Sequence, residues 1–312
     1  MRRLLLAAML LCWPCLPAQA GSELSRLQAQ IASEGLDWTA TEYDRMFTLG
    51  AMDDWPSGAT LVADTAWDGP SAMDWRGHFG PVREQGPCGS CYAFASVGVL
   101  EALAHIELGL RLDLSEQVMV SCGSEAQGYR NEGCTGGYGS GAAMFLQYEG
   151  VPPEWCMPYR ACELRCETAC TTRKSGAYRM RTQELTGFDV GSNRRALQRG
   201  PLYAHFVVMS DFMRYRAGVY EMTANAYSIG MHAVAIVGYQ DTPGQYGGGY
   251  WIVRNSWGDG WGEQGYFRAG YSQTTNPVFF GVASLRYVDI LPPAPPVETW
   301  HIPWVRRFAD DV

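Results

Sequence analysis

The run Gln85-Gly86-Pro87-Cys88-Gly89-Ser90-Cys91-Tyr92-Ala93-Phe94 puts a thiol where a glycine-rich stretch gives way to apolar residues at helical spacing. A thiol is a weak nucleophile until it ionises, and the partial positive charge at a helix start favours the thiolate. Such a nucleophile needs a base, and the base needs a third group to hold its ring. His232, in Gly230-Met231-His232-Ala233-Val234, falls on an expected strand. Asn255 opens Asn255-Ser256-Trp257-Gly258 just after the next expected strand, 255 − 232 = 23 positions on. Two adjacent strands would bring that amide beside the imidazole, and the three groups together could perform acyl transfer through a covalent thioester.

The elements that must position these residues change character along the chain. From Cys91 to about Arg111, apolar Phe94, Val97, Leu100, Leu103, Ala104 and Ile106 predict a helix. Ser115-Glu116-Gln117 opens a second, short one, and Gly139 to Tyr148 reads as a third, ending at Gly150 before Val151-Pro152-Pro153. The cysteine cluster from Cys156 to Cys170 reads as loop. Beyond it, Tyr203 to Met209, His232 to Tyr239, Tyr250 to Arg254 and Gly265 to Ala269 are short β-rich runs between glycine-rich turns. A helical first half and a β second half predict two lobes with a cleft between them. Gly247-Gly248-Gly249 reads as a turn and not a phosphate loop, because no Lys-Ser/Thr follows it.

The 312 residues are 47% hydrophobic and 18% charged, enough to bury a full core, and the net charge of −8 is spread out. No Lys/Arg cluster suggests a nucleic-acid partner. Arg2 and Arg3, the apolar Leu4 to Trp13 and Ala18-Gln19-Ala20 form a signal peptide over residues 1–20. That places the chain in the secretory pathway, bound for an extracellular or lysosome/vacuole-like compartment. Beyond it no apolar run reads as long enough to cross a bilayer. Residues 21–70, with an amphipathic stretch around Leu24, Leu27, Ile31 and Leu36 and an Asp/Gly/Pro-rich linker from Asp53 to Pro70, read as a propeptide; the alternative is an N-terminal subdomain. Residues 71–290 form the body, and 291–312 a proline-led tail with Trp300 and Trp304.

Cys12 and Cys15 leave with the signal peptide, so eight cysteines remain. An even count admits four disulfides, and Cys88-x-x-Cys91 admits a redox pair, although no βαβ pattern surrounds it. His105 and His205 read as structural, His78 and His301 as surface residues. None has metal-ligand spacing with the cysteines, so neither a metal nor another cofactor is implied.

Taken together these motifs resemble the papain-like cysteine proteases, whose nucleophile signature is C-G-[SA]-C-[WY] with His and Asn roughly 130–150 residues downstream. Here His232 lies 232 − 91 = 141 positions on, and Asn255 somewhat beyond that range. The resemblance runs from Asp74-Trp75-Arg76 to about Val288. It implies an α+β fold of two lobes, one helical and one an antiparallel β-barrel-like lobe, with the active site in the cleft between. It implies that Gln85 and the Cys91 N–H form an oxyanion hole, in which one donor contributes about 3–4 kcal/mol. Trp257 matches the indole that shields the His–Asn hydrogen bond. Gly89, Gly136 and Gly137 match substrate-binding positions, the last two pairing with an extended peptide by strand addition. Ala233 matches a wall of the S2 pocket and Leu285 its base, which implies an apolar or aromatic P2 residue. Tyr92 stands where tryptophan is commoner, and Phe280 where the family often has a cysteine.

The resemblance also implies the disulfides Cys88–Cys134, Cys122–Cys166 and Cys156–Cys170, leaving Cys162 without a partner once Cys91 is free. Cys156-Met157-Pro158-Tyr159 and the short pro-region resemble the cathepsin B branch, but the compressed cluster holds no histidine with which to build an occluding loop. An open cleft and endopeptidase action follow from that. The implied protein is a secreted zymogen and a monomer, acting on peptide and protein substrates and inhibited by its own propeptide. The rival readings are a catalytically dead homologue that binds through the cleft and a disulfide-rich binding module.

Overall fold

Helix α2 (Cys91–Leu108) is apolar on nearly every face, a pattern that suits a helix enclosed on all sides. Its first fourteen residues are buried, and it ends where Gly109 takes a left-handed conformation at φ 70° and donates back to Ala104 and His105. Against expectation, α2 is long and apolar enough to cross a membrane by length and composition. With 78% of that stretch buried inside the protein, it is a core helix. The computed structural model describes residues 18–43, 49, 68–123, 128–187, 189–274, 278, 280 and 284–294. Residues 1–17 of the expected signal peptide, residues 53–67 of the expected linker, Trp300, His301 and Trp304 lie outside them.

Around α2 pack α3 (Glu116–Cys122) and α4 (Gly139–Tyr148). Ser115 caps α3 by accepting the Val118 N–H at 3.1 Å, as the Ser115-Glu116-Gln117 signal predicts. Both helices begin where the sequence places them. Three disulfides tie this lobe: Cys88–Cys134, Cys122–Cys166 and Cys156–Cys170, the pairs the resemblance implies. Cys88 is therefore bonded to Cys134 and not to Cys91, which removes the redox-pair reading. Among the described residues, Cys91 and Cys162 are the cysteines outside any disulfide.

The other lobe is built on a nine-stranded sheet among the described residues. Its strands are β1 (Trp38–Ala40), β2 (Ala72–Asp74), β3 (Arg179–Leu185), β4 (Leu202–Met209), β5 (Tyr215–Tyr220), β6 (Ser228–Asp241), β7 (Gly249–Arg254), β8 (Tyr266–Gly270) and β9 (Leu285–Leu291). They run in the order β1-β5-β8-β7-β6-β4-β9-β3, with β2 also pairing β6. The lobe is not antiparallel throughout. β5 and β8 run parallel, with Val219 opposite Arg268, because the chain passes through β6 and β7 before returning beside β5. Nor is the second half purely β: α5 (Val190–Leu197) starts at Asp189, whose carboxylate accepts the Ser192 N–H at 2.8 Å. α1 (Ala18–Ser33) carries Leu24, Leu27 and Ile31 of the predicted amphipathic stretch, while Leu36 lies beyond its end.

Alternation on β4 and β6 builds two cores. Tyr203 and Ala233 face α2 and join the cluster that holds Cys91. Phe206, Val234 and Ile236 face the opposite way, into an aromatic core with Trp251, Trp257, Trp261 and Phe267. The site lies where these clusters meet.

Candidate active site

Cys91 is the first residue of α2 and is fully buried. Ser90 precedes it and makes no side-chain cap, so the thiol sits at the positive end of α2 with no cap side chain over the first turn. α2 packs against β6, and Cys91 and Ala233 share one buried cluster, which brings the thiol to the strand carrying His232. β6 and β7 are antiparallel neighbours, with Ala235 opposite Arg254. That pairing delivers Asn255, the residue after β7, to His232.

His232 Nε2 lies 2.7 Å from Asn255 Oδ1. The same oxygen accepts the Ser256 N–H at 2.8 Å, which fixes it as an acceptor and makes Nε2 the protonated nitrogen. Nδ1 is then the basic nitrogen, and it has no hydrogen-bond partner among the described residues. Trp257 stacks on the imidazole at 4.6 Å and 29°. Burial holds the His232 pKa down at about 4, against the opposing pull of Asn255. Burial also pushes up the phenols of Tyr92, Tyr159 and Tyr203, with the nearby charge of Cys91 adding to the effect.

Gln85 is fully buried. Its Nε2 donates to Cys88 O at 2.9 Å, while its Oε1 accepts from the Ser256 hydroxyl at 2.7 Å. The Gln85 N–H donates in turn to Ser256 O at 2.8 Å. Gln85 is thereby laced to the residue beside Asn255, although 171 positions separate them. Ser256 stands in the Asn255-Ser256-Trp257-Gly258 string, but the sequence reading gives it no role; its place beside Asn255 was the one signal that could have marked it.

Gly89 donates its N–H to Cys134 O at 2.8 Å, so the Cys88–Cys134 bridge and this bond together hold the nucleophile loop to the glycine loop. A Cβ on Gly137 would stand 2.8 Å from the Tyr92 ring, and Gly136 has a φ of 151°. Both positions require glycine. Tyr92 adds a hydroxyl that donates to Gly133 O at 3.1 Å, a support that a tryptophan could not supply in the same way. Leu285 and Ala233 both pack on the cluster around α2. They sit two strands apart, Leu285 opposite Tyr203 and Ala233 opposite His205. Phe280 is buried in the aromatic core beside Phe206, at 5.1 Å.

The N-terminal segment is docked on the β lobe. β1 pairs antiparallel with β5, Trp38 opposite Gly218. Trp38 is buried against Tyr215 and Tyr220, and its Nε1 donates to Glu221 O at 3.0 Å. Arg214 bonds Glu23 at 3.0 Å and Glu42 at 3.3 Å. Tyr43 donates to Tyr215 O at 2.7 Å. Leu49 reaches Gly230, where an added Cβ would meet it at 2.9 Å, two positions from His232. Among the described residues, no group of three or more His, Cys, Asp or Glu is arranged to hold a metal ion.

The family model for papain family cysteine proteases matches residues 69–282. The chain belongs to the papain family of cysteine proteases. Within that family it is 38% identical to pro-cathepsin H of Mus musculus over 205 residues, which cover 64% of this chain but 59% of that protein. It is 35% identical to cathepsin K of Gallus gallus over 260 residues, covering 80% of this chain and 74% of that one. The match thus spans about three fifths of the length of the cathepsin H precursor. Among solved structures, procathepsin B S9 from Trypanosoma congolense superposes with a TM-score of 0.71 at 22% identity, covering 88% of this chain and 99% of that one. A digestive procathepsin L 3 of Tenebrio molitor does so at 0.65 and 22%, covering 86% and 88%. At such identities the superpositions establish the two-lobed papain-like fold. Family members on both the H/K and B sides resemble the chain, so the cathepsin B affinity suggested by the cysteine cluster is not singled out.

Proposed function

We propose that the chain is the zymogen of a cysteine-type endopeptidase, and the observation that carries this reading is the buried His232–Asn255 pair, 2.7 Å apart, with His232 on the strand that packs against the helix of Cys91. Cys91 thiolate attacks the scissile carbonyl carbon, and the carbonyl oxygen takes the negative charge. The Gln85 amide and the Cys91 N–H receive that oxyanion. His232, protonated at Nδ1, gives its proton to the leaving amine as the C–N bond breaks. It then takes one from water, whose oxygen displaces the thioester sulfur. Asn255 holds the ring throughout, and the Trp257 indole keeps water from their bond.

An extended substrate lies along Gly136 and Gly137, with an apolar or aromatic P2 side chain between Ala233 and Leu285. The compressed loop between Cys156 and Cys170 carries no histidine to seize a C-terminal carboxylate, which favours cutting internal bonds. Residues 1–20 direct the chain into the secretory pathway, and the three disulfides suit an extracellular or lysosome-like compartment. Residues 21–70 act as the inhibitory propeptide: the docking of Trp38 on β5 and of Leu49 beside Gly230 supports their running toward the nucleophile.

The test is hydrolysis of a fluorogenic peptide amide with Phe or Leu at P2, by acid-activated protein and by its Cys91→Ala variant. Turnover by the first alone is the expected result. A folded, processed wild type with no turnover would leave the cleft as a binding groove.

A further inference from the structure

Tyr159 belongs to the cysteine-cluster loop and has no place in the chemistry described above. Its hydroxyl nevertheless donates to the main-chain carbonyl of Gln85 at 2.7 Å and lies 2.6 Å from the hydroxyl of Ser90. A phenol has one proton to donate. With that proton on Gln85 O, Ser90 must be the donor in the second bond. Burial pushes the Tyr159 pKa well up, so the hydroxyl stays neutral and keeps its proton.

The side chain is itself held firmly. Its ring meets Phe94 edge-on at 4.7 Å, in the first turn of α2. Its N–H donates to Glu154 Oε1 at 2.8 Å, and the next N–H, of Arg160, donates to Gln117 Oε1 at 2.8 Å. The Cys156–Cys170 bridge closes the loop behind it. Tyr159 is therefore a fixed post in the helical lobe, bonded at once to residue 85 and residue 90. Residue 85 carries the side-chain amide of the oxyanion hole. Residue 90 contributes the carbonyl half of the peptide group whose N–H belongs to Cys91.

We propose that Tyr159 is a positioning residue that sets the separation and aim of the two oxyanion donors, the Gln85 amide and the Cys91 N–H. This rests on the peptidase reading. It assigns the disulfide-rich loop a role in transition-state geometry besides its role in holding the lobe together.

The test compares activated wild type with Tyr159→Phe, which keeps the ring on Phe94 and removes only the hydroxyl. Three quantities are read. They are kcat and KM on the peptide amide, the inhibition constant of a peptide aldehyde, and the rate of Cys91 alkylation by iodoacetamide across pH. The aldehyde captures the thiolate as a thiohemiacetal whose oxygen occupies the oxyanion position. Iodoacetamide loses iodide from a saturated carbon and needs no such position. The expected result is a roughly tenfold fall in kcat with KM nearly constant, an equal weakening of the aldehyde and an unchanged alkylation profile. Ser90→Ala should show the same pattern, more weakly, and it carries the test if Tyr159→Phe does not fold. Unchanged kcat and aldehyde affinity would overturn the proposal, as would alkylation slowing in step with kcat. A wild type that alkylates rapidly yet cleaves nothing would instead overturn the peptidase reading beneath it.

Discussion

The hydroxyl of Ser256 donates to Gln85 Oε1 at 2.7 Å, so the residue next to the histidine's partner also sets the amide on the nucleophile loop. An amide pinned through its oxygen must present its nitrogen the other way, toward Cys88 O and the start of α2. Removing an oxyanion donor outright costs about 10²–10³ in kcat. Ser256→Ala leaves the donor present but free to turn over, so the expected loss is smaller, about five- to tenfold in kcat with KM within about twofold. Steady-state kinetics on the peptide amide checks this; a rise in KM alone would mean that Ser256 acts on substrate binding instead.

Among the described residues of the N-terminal segment, Trp38 is the best-buried anchor, 3% exposed between Tyr215 and Tyr220. Truncating a buried aromatic typically costs about 3–5 kcal/mol in a core. A docked segment can relax in part, so about 3 kcal/mol, roughly a hundredfold in affinity, is the expected loss. A synthetic peptide of residues 21–70 should inhibit the mature enzyme, and its Trp38→Ala form should do so about a hundredfold less well. Equal inhibition by the two peptides would show that strand β1 is not what holds the segment.

Glu116 is buried at the end of a carboxylate group that includes Glu101 and Glu154, with Arg83 as its ion-pair partner at 3.0 Å. Burial lifts its pKa to about 8, outweighing Arg83, and Glu101 adds to the rise. The folded protein therefore keeps a proton that the unfolded chain releases near 4.5. The stability from that proton is complete below about 4.5 and drains as pH rises toward 8. The Tm of the Cys91→Ala protein should fall over that window, and Glu116→Gln, which keeps the acceptor without the charge, should flatten the fall. A profile that Glu116→Gln leaves unaltered would assign the pH dependence elsewhere.

His232 contributes the opposite slope. Its folded pKa of about 4 lies below the ordinary 6.5, so the unfolded chain binds the proton first. Stability from this group is lost as pH falls from about 6.5 to 4. Histidine resonances of the Cys91→Ala zymogen should show His232 titrating near 4. Removal of residues 21–70 should move that midpoint upward as water reaches the ring. A midpoint that stays put after removal would mean that the β lobe and Trp257 alone keep the ring dry.

The residues proposed to carry the chemistry could be named from the sequence because each sits in a short contiguous string whose residue types serve one purpose. Helices α2, α3 and α4 were legible from apolar spacing, the Ser115 cap and the glycines and prolines that end them. What escaped was either polar or non-local. β3 reads Arg-Met-Arg-Thr-Gln-Glu-Leu and buries only Met180, so it lacks a strong apolar alternation. β5 contains Gly218 at φ 102°, which breaks the pattern of a strand. α5 is eight residues with two arginines in its last turn. Ser256 and Tyr159 act through bonds to Gln85, a residue 171 and 74 positions away, and no local string encodes such a meeting.

The sheet also has a detachable margin. β1 is its outermost strand on one side, and Gly218 is glycine where the chain of Asp37 and Trp38 crosses closely over it. Loss of residues 21–70 strips that strand away. The N–H of Val219, which donates to Asp37 O, and the carbonyls that β1 engaged then face solvent as a bare edge. Maturation would thus uncover two surfaces at once. One is the cleft, and the other is a strand-sized vacancy along β5, on which the mature molecule would have room to take up an extended chain.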